Sequence, residues 1–119
     1  MLPAELIDEL MRFRAERDWE QFHTPRNLAI SLSLEASEVL ELFQWHDPRG
    51  EATQEVLPRL RDEIADVAVY LTYLCRDLDI DLEQAVRSKL EQNRQKYPVA
   101  LSKGSAKKYT ELQAEGSGQ

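Results

Sequence analysis

Asp62-Glu63-Ile64-Ala65-Asp66-Val67-Ala68-Val69-Tyr70-Leu71-Thr72-Tyr73-Leu74-Cys75 decides the fold class. Wound as a helix, its apolar residues Ile64, Ala65, Val67, Ala68, Val69, Leu71 and Leu74 leave almost no side for water, which marks a central or interface helix. Glu63 and Asp66 nevertheless sit within it. Their i, i+3 spacing makes them neighbours on the helix surface, and Tyr70 and Tyr73 continue the same face. The spacing predicts a helix from near Pro58 to about Leu78, beginning at the proline or earlier with a kink there.

Working outward, the segments between prolines repeat with helical period rather than strand alternation. A short amphipathic helix is predicted from about Pro3 to Arg17, with Leu6, Ile7, Leu10, Met11 and Phe13 on its stripe. Thr24 can cap, and Pro25 can open, a second helix running to about Trp45. His46 to Leu57, with Pro48 and Gly50, reads as a loop or frayed turn. Asp81-Leu82-Glu83-Gln84 has the pattern of a capping box opening a fourth helix to about Lys96, which Pro98 stops. Residues 1–101 are expected to form one domain and 102–119, small, polar and locally basic, a mobile tail.

Composition excludes the main alternatives. The 119 residues suffice for one domain with a core but not for two. Three of the four glycines lie past residue 103, leaving Gly50 alone in the body, too few for a hairpin-rich β fold or a glycine-rich phosphate loop. An all-α protein remains. A net charge of −7 argues against a nucleic-acid or anionic-membrane partner, so an anionic substrate would need a cation to meet it. Cys75, the single cysteine, allows no internal disulfide. The acidic start (Glu5, Asp8, Glu9) is unlike a signal peptide, and the uncharged stretch Val67 to Cys75 is far short of a bilayer span, so a cytoplasmic protein is expected.

The second helix repeats the anomaly of the third. Glu35 falls among Leu28, Leu32, Val39 and Leu42, with Glu38 one turn on and Trp45 two turns beyond that. On a solvated surface an i, i+3 like-charge pair costs a few tenths of a kcal/mol. Inside a bundle, carboxylates ~4 Å apart repel by about 4 kcal/mol at an effective dielectric near 20, so a converging set needs a cation or shared protons. Carboxylates without imidazole or thiolate suit Mg²⁺ or Mn²⁺. The competing reading leaves these acids on the solvated faces of an acidic protein.

Mg²⁺ held by few protein ligands usually serves bound phosphates. In the fourth helix Asn93 interrupts the stripe of Val86, Leu90 and Tyr97; it is either a polar register device or a side chain aimed into a site. Lys89, Arg94 and Lys96 form a solvated basic face or, if they meet the acids, a phosphate site. Trp19, Phe22 and His23 precede the helix of Glu35, as a packed cap or as a base-stacking platform.

The blocks Arg17-Asp18-Trp19-Glu20-Gln21-Phe22-His23-Thr24-Pro25-Arg26-Asn27, Leu34-Glu35-Ala36-Ser37-Glu38-Val39-Leu40-Glu41-Leu42-Phe43-Gln44-Trp45, Asp62 to Val67 with Tyr70-Leu71, and Ser88-Lys89, Asn93-Arg94 and Tyr97-Pro98 together resemble the all-α nucleoside triphosphate pyrophosphohydrolases of the MazG-like superfamily, and within it the dCTP-hydrolysing branch. The likeness runs from about residue 5 to Leu112.

It implies a MazG-like four-helix bundle assembled as a homotetramer, a dimer of dimers, with Mg²⁺ (or Mn²⁺) bound by Glu35, Glu38, Glu63 and Asp66. The implied reaction is hydrolysis of dCTP, or modified dCTP, to the monophosphate and pyrophosphate, with Glu35 or Glu38 orienting the water. By the same resemblance His23 and Trp45 would surround the base and Tyr70 would line the sugar or base pocket. Lys89, Asn93, Arg94 and Tyr97 would meet phosphates or base, partly from a neighbouring subunit. A broad-specificity house-cleaning pyrophosphatase and a non-catalytic helical interaction module are the alternatives.

Overall fold

The computed structural model describes residues 2–45, 51–105 and 110, with backbone alone at 51–53. The described residues are helical, without a strand: α1 (Ala4–Glu16), a 3-10 turn (Trp19–Phe22), α2 (Pro25–Glu41), α3 (Glu51–Asp77), α4 (Leu82–Lys96) and the short α5 (Val99–Ser102). They fall into two compact units, Met1–Ile80 and Asp81–Gln119. No helix among the described residues is long and apolar enough to cross a membrane.

In the first unit α2 packs along α3, and α1 packs on α3. Thr24 caps α2 as expected: its Oγ1 accepts from the Asn27 N–H at 3.1 Å, with Pro25 at the first helical position, where its missing N–H is no loss. His23, just before α2, lies beside Tyr70 and Tyr73, whereas Glu35 and Glu38, further along α2, meet Glu63 and Asp66. The two helices therefore run antiparallel. Leu28 is fully buried and Leu42, Tyr73 and Cys75 nearly so. Burying a leucine contributes about 2 kcal/mol.

Two boundaries differ from the sequence reading. α2 ends at Glu41 rather than near Trp45, because its last turn tightens: Leu42 and Phe43 donate to the carbonyls of Val39 and Leu40, three residues back instead of four. α3 does not wait for Pro58. It starts at Glu51 and carries the proline inside, so 51–57, expected as loop, is helix. Helix formers upstream (Ala52, Gln54, Glu55) and a long packed helix downstream offset the one hydrogen bond that a proline removes. The remainder of that expected loop, 46–50, lies outside the described residues, as does most of the expected tail.

The buried face of α1 departs from its predicted stripe. Leu6 and Phe13 stand more than a third exposed, while Arg14, at helical spacing from Ile7, Leu10 and Met11, is 4% exposed. After α1 the backbone reverses at Asp18, which adopts a left-handed conformation (φ 56°) and is held by Gln21 Nε2, donating to both its carbonyl and its carboxylate at 2.9 Å. That reversal sets Trp19 edge-on to Phe13, with ring centroids 5.7 Å apart.

In the second unit Asp81 caps α4 by accepting from the Gln84 N–H at 3.0 Å. Tyr97 follows the last turn, its N–H bonded to the Asn93 carbonyl, and Pro98 precedes α5, a turn of helix the sequence reading did not include.

A candidate active site of four acids beside an aromatic pocket

The antiparallel pairing brings the two acidic pairs face to face. One carboxylate oxygen from each of Glu35, Glu38, Glu63 and Asp66 lies within 4.8 Å of the others. Glu35 and Glu63 are half-buried, and Glu38 and Asp66 exposed. The Oε2 atoms of Glu35 and Glu63 are shut off from water and have no hydrogen-bond partner. Such oxygens carry a desolvation penalty that a proton or a cation relieves.

The titration behaviour follows. Burial, a proton shared with Glu38, and the charges of Glu38, Asp66 and Glu63 push the Glu35 carboxyl up to about 7. Glu63 is raised chiefly by a proton shared with Glu38, then by burial and by the charges of Glu38 and Asp66, with Arg59 opposing. A purely oxygen-donor, like-charged cluster with two orphaned oxygens suits a hard divalent cation better than zinc, which favours imidazole and thiolate.

Asp66 also opens onto a second feature, a cavity of about 320 Å³. α1 supplies Leu10 and Phe13, the 3-10 turn supplies Trp19, the following loop His23, and α3 Asp66, Val69, Tyr70 and Tyr73. His23 sits in an aromatic nest, its ring 5.5 Å from that of Tyr73 and 6.3 Å from that of Tyr70. Burial and then the Arg14 charge hold its imidazole below the usual range, Asp77 opposing, so the ring is neutral near pH 7. Its Nδ1 is buried without a partner, a polar atom available to a ligand.

The structure thus brings together Glu35, Glu38, Glu63 and Asp66, and puts His23 and Tyr70 in a pocket that Asp66 shares. Trp45 is 86% exposed beyond α2 and is not among the residues lining that pocket. Lys89, Asn93, Arg94 and Tyr97 belong to the second unit. Lys89 and Arg94 are exposed, Arg94 3.4 Å from Glu91, and Asn93 is half-buried.

The sequence reading missed Leu10, Phe13, Val69 and Tyr73 as pocket wall, having placed all four on apolar or aromatic helix faces. Trp19, left between cap and platform, lines the cavity. Periodicity shows that a residue faces inward without showing whether it meets another side chain or a void.

The MazG-like family matches residues 30–112. The chain is 47% identical to dCTP pyrophosphatase 1 of Mus musculus over 118 residues, 92% of this chain and 69% of that protein. Against dCTP pyrophosphatase 1 of Homo sapiens identity is 43% over the same coverage. The crystal structure of a pyrophosphatase from Archaeoglobus fulgidus superposes with a TM-score of 0.69 at 46% identity, over 79% of this chain and 90% of that one. With that family match across most of the chain, and the acid pairs facing each other on α2 and α3, the chain belongs to the MazG-like family.

Proposed function

We propose that the protein is a divalent-metal-dependent nucleoside triphosphate pyrophosphohydrolase that converts dCTP, and modified dCTP, to the monophosphate and pyrophosphate. One observation carries the reading: Asp66 is at once a member of the acid cluster and part of the wall of the aromatic pocket. A substrate with polyphosphate at one end and a flat base at the other needs those two environments side by side.

In this mechanism Glu35, Glu38, Glu63 and Asp66 hold Mg²⁺, with Mn²⁺ as a substitute. The cation supplies charge neutralisation and orientation of the phosphates. Trp19, Tyr70 and Tyr73 offer ring faces and edges to the base, and His23 offers its unpartnered Nδ1. Water attacks the α-phosphorus: a new phosphorus–oxygen bond forms, the bond to the bridging oxygen breaks, and pyrophosphate departs. Glu35 or Glu38, the α2 pair, orients the water and takes its proton. By the family resemblance Lys89, Asn93, Arg94 and Tyr97 would meet phosphates or base, partly from a neighbouring subunit, and Trp45 with His23 would surround the base.

A homotetramer, a dimer of dimers, accounts for the large apolar side chains that one chain leaves open on the helices of the site. Ile30, Leu34 and Leu40 on α2 and Ile64 on α3 are each 46–63% exposed. We infer a cytoplasmic enzyme working on free nucleotides.

The test is pyrophosphate release from dCTP with and without Mg²⁺, for the parent and for Glu38→Gln and Asp66→Asn. Loss of turnover in both folded variants supports the assignment; turnover equal to the parent's rejects it. A panel of dCTP, 5-methyl-dCTP, dTTP, dUTP and dATP decides substrate range, equal specificity constants pointing to a broad house-cleaning role.

A further inference from the structure

One partly buried ion pair takes no part in the reaction just described. Arg14 of α1 grips Asp77 at the end of α3 with both prongs of its guanidinium: Nη1 donates to Oδ2 at 2.8 Å and Nη2 to Oδ1 at 2.7 Å. The same guanidinium lies over the Tyr73 ring, 4.7 Å from its centroid. Tyr73, 3% exposed, donates its hydroxyl proton to the Leu10 carbonyl at 3.1 Å, back on α1. Leu10 and Tyr73 are both walls of the cavity beside Asp66, and the Tyr73 ring also touches His23.

This is a poor device for stability alone. A buried ion pair gains little over well-packed apolar residues of the same size, and this one leaves Arg14 Nε buried without a partner. What a two-pronged grip supplies is geometry, since a planar fork on a carboxylate fixes both distance and angle. The angle it fixes is that of α1 against α3. We propose that Arg14 and Asp77 are positioning residues: they hold the α1 wall of the pocket at its distance from α3 and so set how tightly the nucleoside end of the substrate is bound. The phosphate end, at the acid cluster between α2 and α3, does not depend on them. The inference rests on the pyrophosphohydrolase reading above.

The experiment is steady-state kinetics with dCTP and saturating Mg²⁺ for Asp77→Asn, Arg14→Lys and Asp77→Glu, at a temperature where each has the parent's circular dichroism. Inorganic tripolyphosphate, which has no base, serves as a competitive probe of the phosphate end. For Asp77→Asn and Arg14→Lys the expected result is a KM about tenfold higher, with kcat and the tripolyphosphate Ki within about twofold of the parent, the signature of lost uniform binding. Asp77→Glu, which keeps the carboxylate, returns KM to within about threefold.

A merely structural pair would lower the melting temperature and leave KM in place. Unchanged KM in the folded variants, movement of kcat and Ki together with KM, or no recovery in Asp77→Glu each overturns the proposal. Should Asp77→Asn fail to fold, Arg14→Lys, which keeps the charge inside, decides alone. A parent that releases no pyrophosphate from dCTP with Mg²⁺ defeats the underlying reading before any variant is made, so the two failures are separate.

Discussion

Lowering the pH from 8.0 to 5.5 should weaken Mg²⁺ binding by about 30-fold, and the size follows from one carboxylate. Glu35 stands at about 7 in the metal-free cluster, and a metal ligand must be ionised. With that value, about 90% of Glu35 is ionised at pH 8.0 and about 3% at pH 5.5, so proton competition alone gives the 30-fold ratio. Glu63, also raised, adds in the same direction. Because the protons belong to a coupled set, the titration is read as that of the cluster. Isothermal titration of MgCl₂ at fixed ionic strength measures it, with Glu35→Gln as control: weaker than the parent at pH 8.0, and with most of the pH ratio gone. The linkage to stability has a definite sign. Glu35 is raised above its unfolded value, so its contribution to the metal-free fold is fully present below about 4.5 and is lost as pH rises through about 7. Mg²⁺ should therefore raise the melting temperature more at pH 8.0 than at 5.5. His23, held below its usual value, contributes in the opposite sense over part of that range, so the difference with and without Mg²⁺ is the readout. A parent Kd within threefold at the two pH values would refute both the ligand assignment and its electrostatics.

Asp77→Ala should cost about 3 kcal/mol at pH 7 by urea unfolding, the low end for stranding a buried charge because the Asp77 side chain is 26% exposed. Asp77 is held below its usual value, so its contribution is present above about 3.8 and lost as pH falls through the lower folded value; in strong acid the variant and the parent should converge. Tyr73→Phe, which removes the hydroxyl bonded to the Leu10 carbonyl, should cost about 1 kcal/mol and lower the melting temperature by about 4 °C. Thr24→Ala, removing the cap of α2, should cost about 1 kcal/mol, measured the same way, while Thr24→Ser should cost little.

The parts of the fold that were legible are those where a short local pattern has one physical solution. Thr24-Pro25 and Asp81 announce helix starts, and each forms the cap its chemistry allows. The acids were legible because charge at apolar positions conflicts with the helix around it, and such conflicts gather at functional sites. Pro58 was ambiguous because its cost is local while the support for α3 is distributed along 27 residues. The pocket was illegible for a different reason: Leu10 and Phe13 obey the amphipathic pattern whether they fill a core or face a cavity. Arg14 broke that pattern and was readable in the same way as Glu35, as a charge on an apolar stripe, but its partner lies 63 residues away and no spacing rule reaches that far.

α3 itself explains why one helix can organise so much. Glu63, Asp66, Tyr70, Tyr73 and Asp77 follow one another at intervals of three, four, three and four, so they form a single stripe about 21 Å long on one face. In order along it stand two acids, two aromatic rings and the carboxylate that grips α1. Where α2 runs antiparallel across the stripe its own acids complete the cluster, and where α1 crosses it Leu10 and Phe13 complete the pocket. Each neighbour needs only to be correct against α3 to be correct for the site, and relative error between α1 and α2 is absorbed by the helix they share.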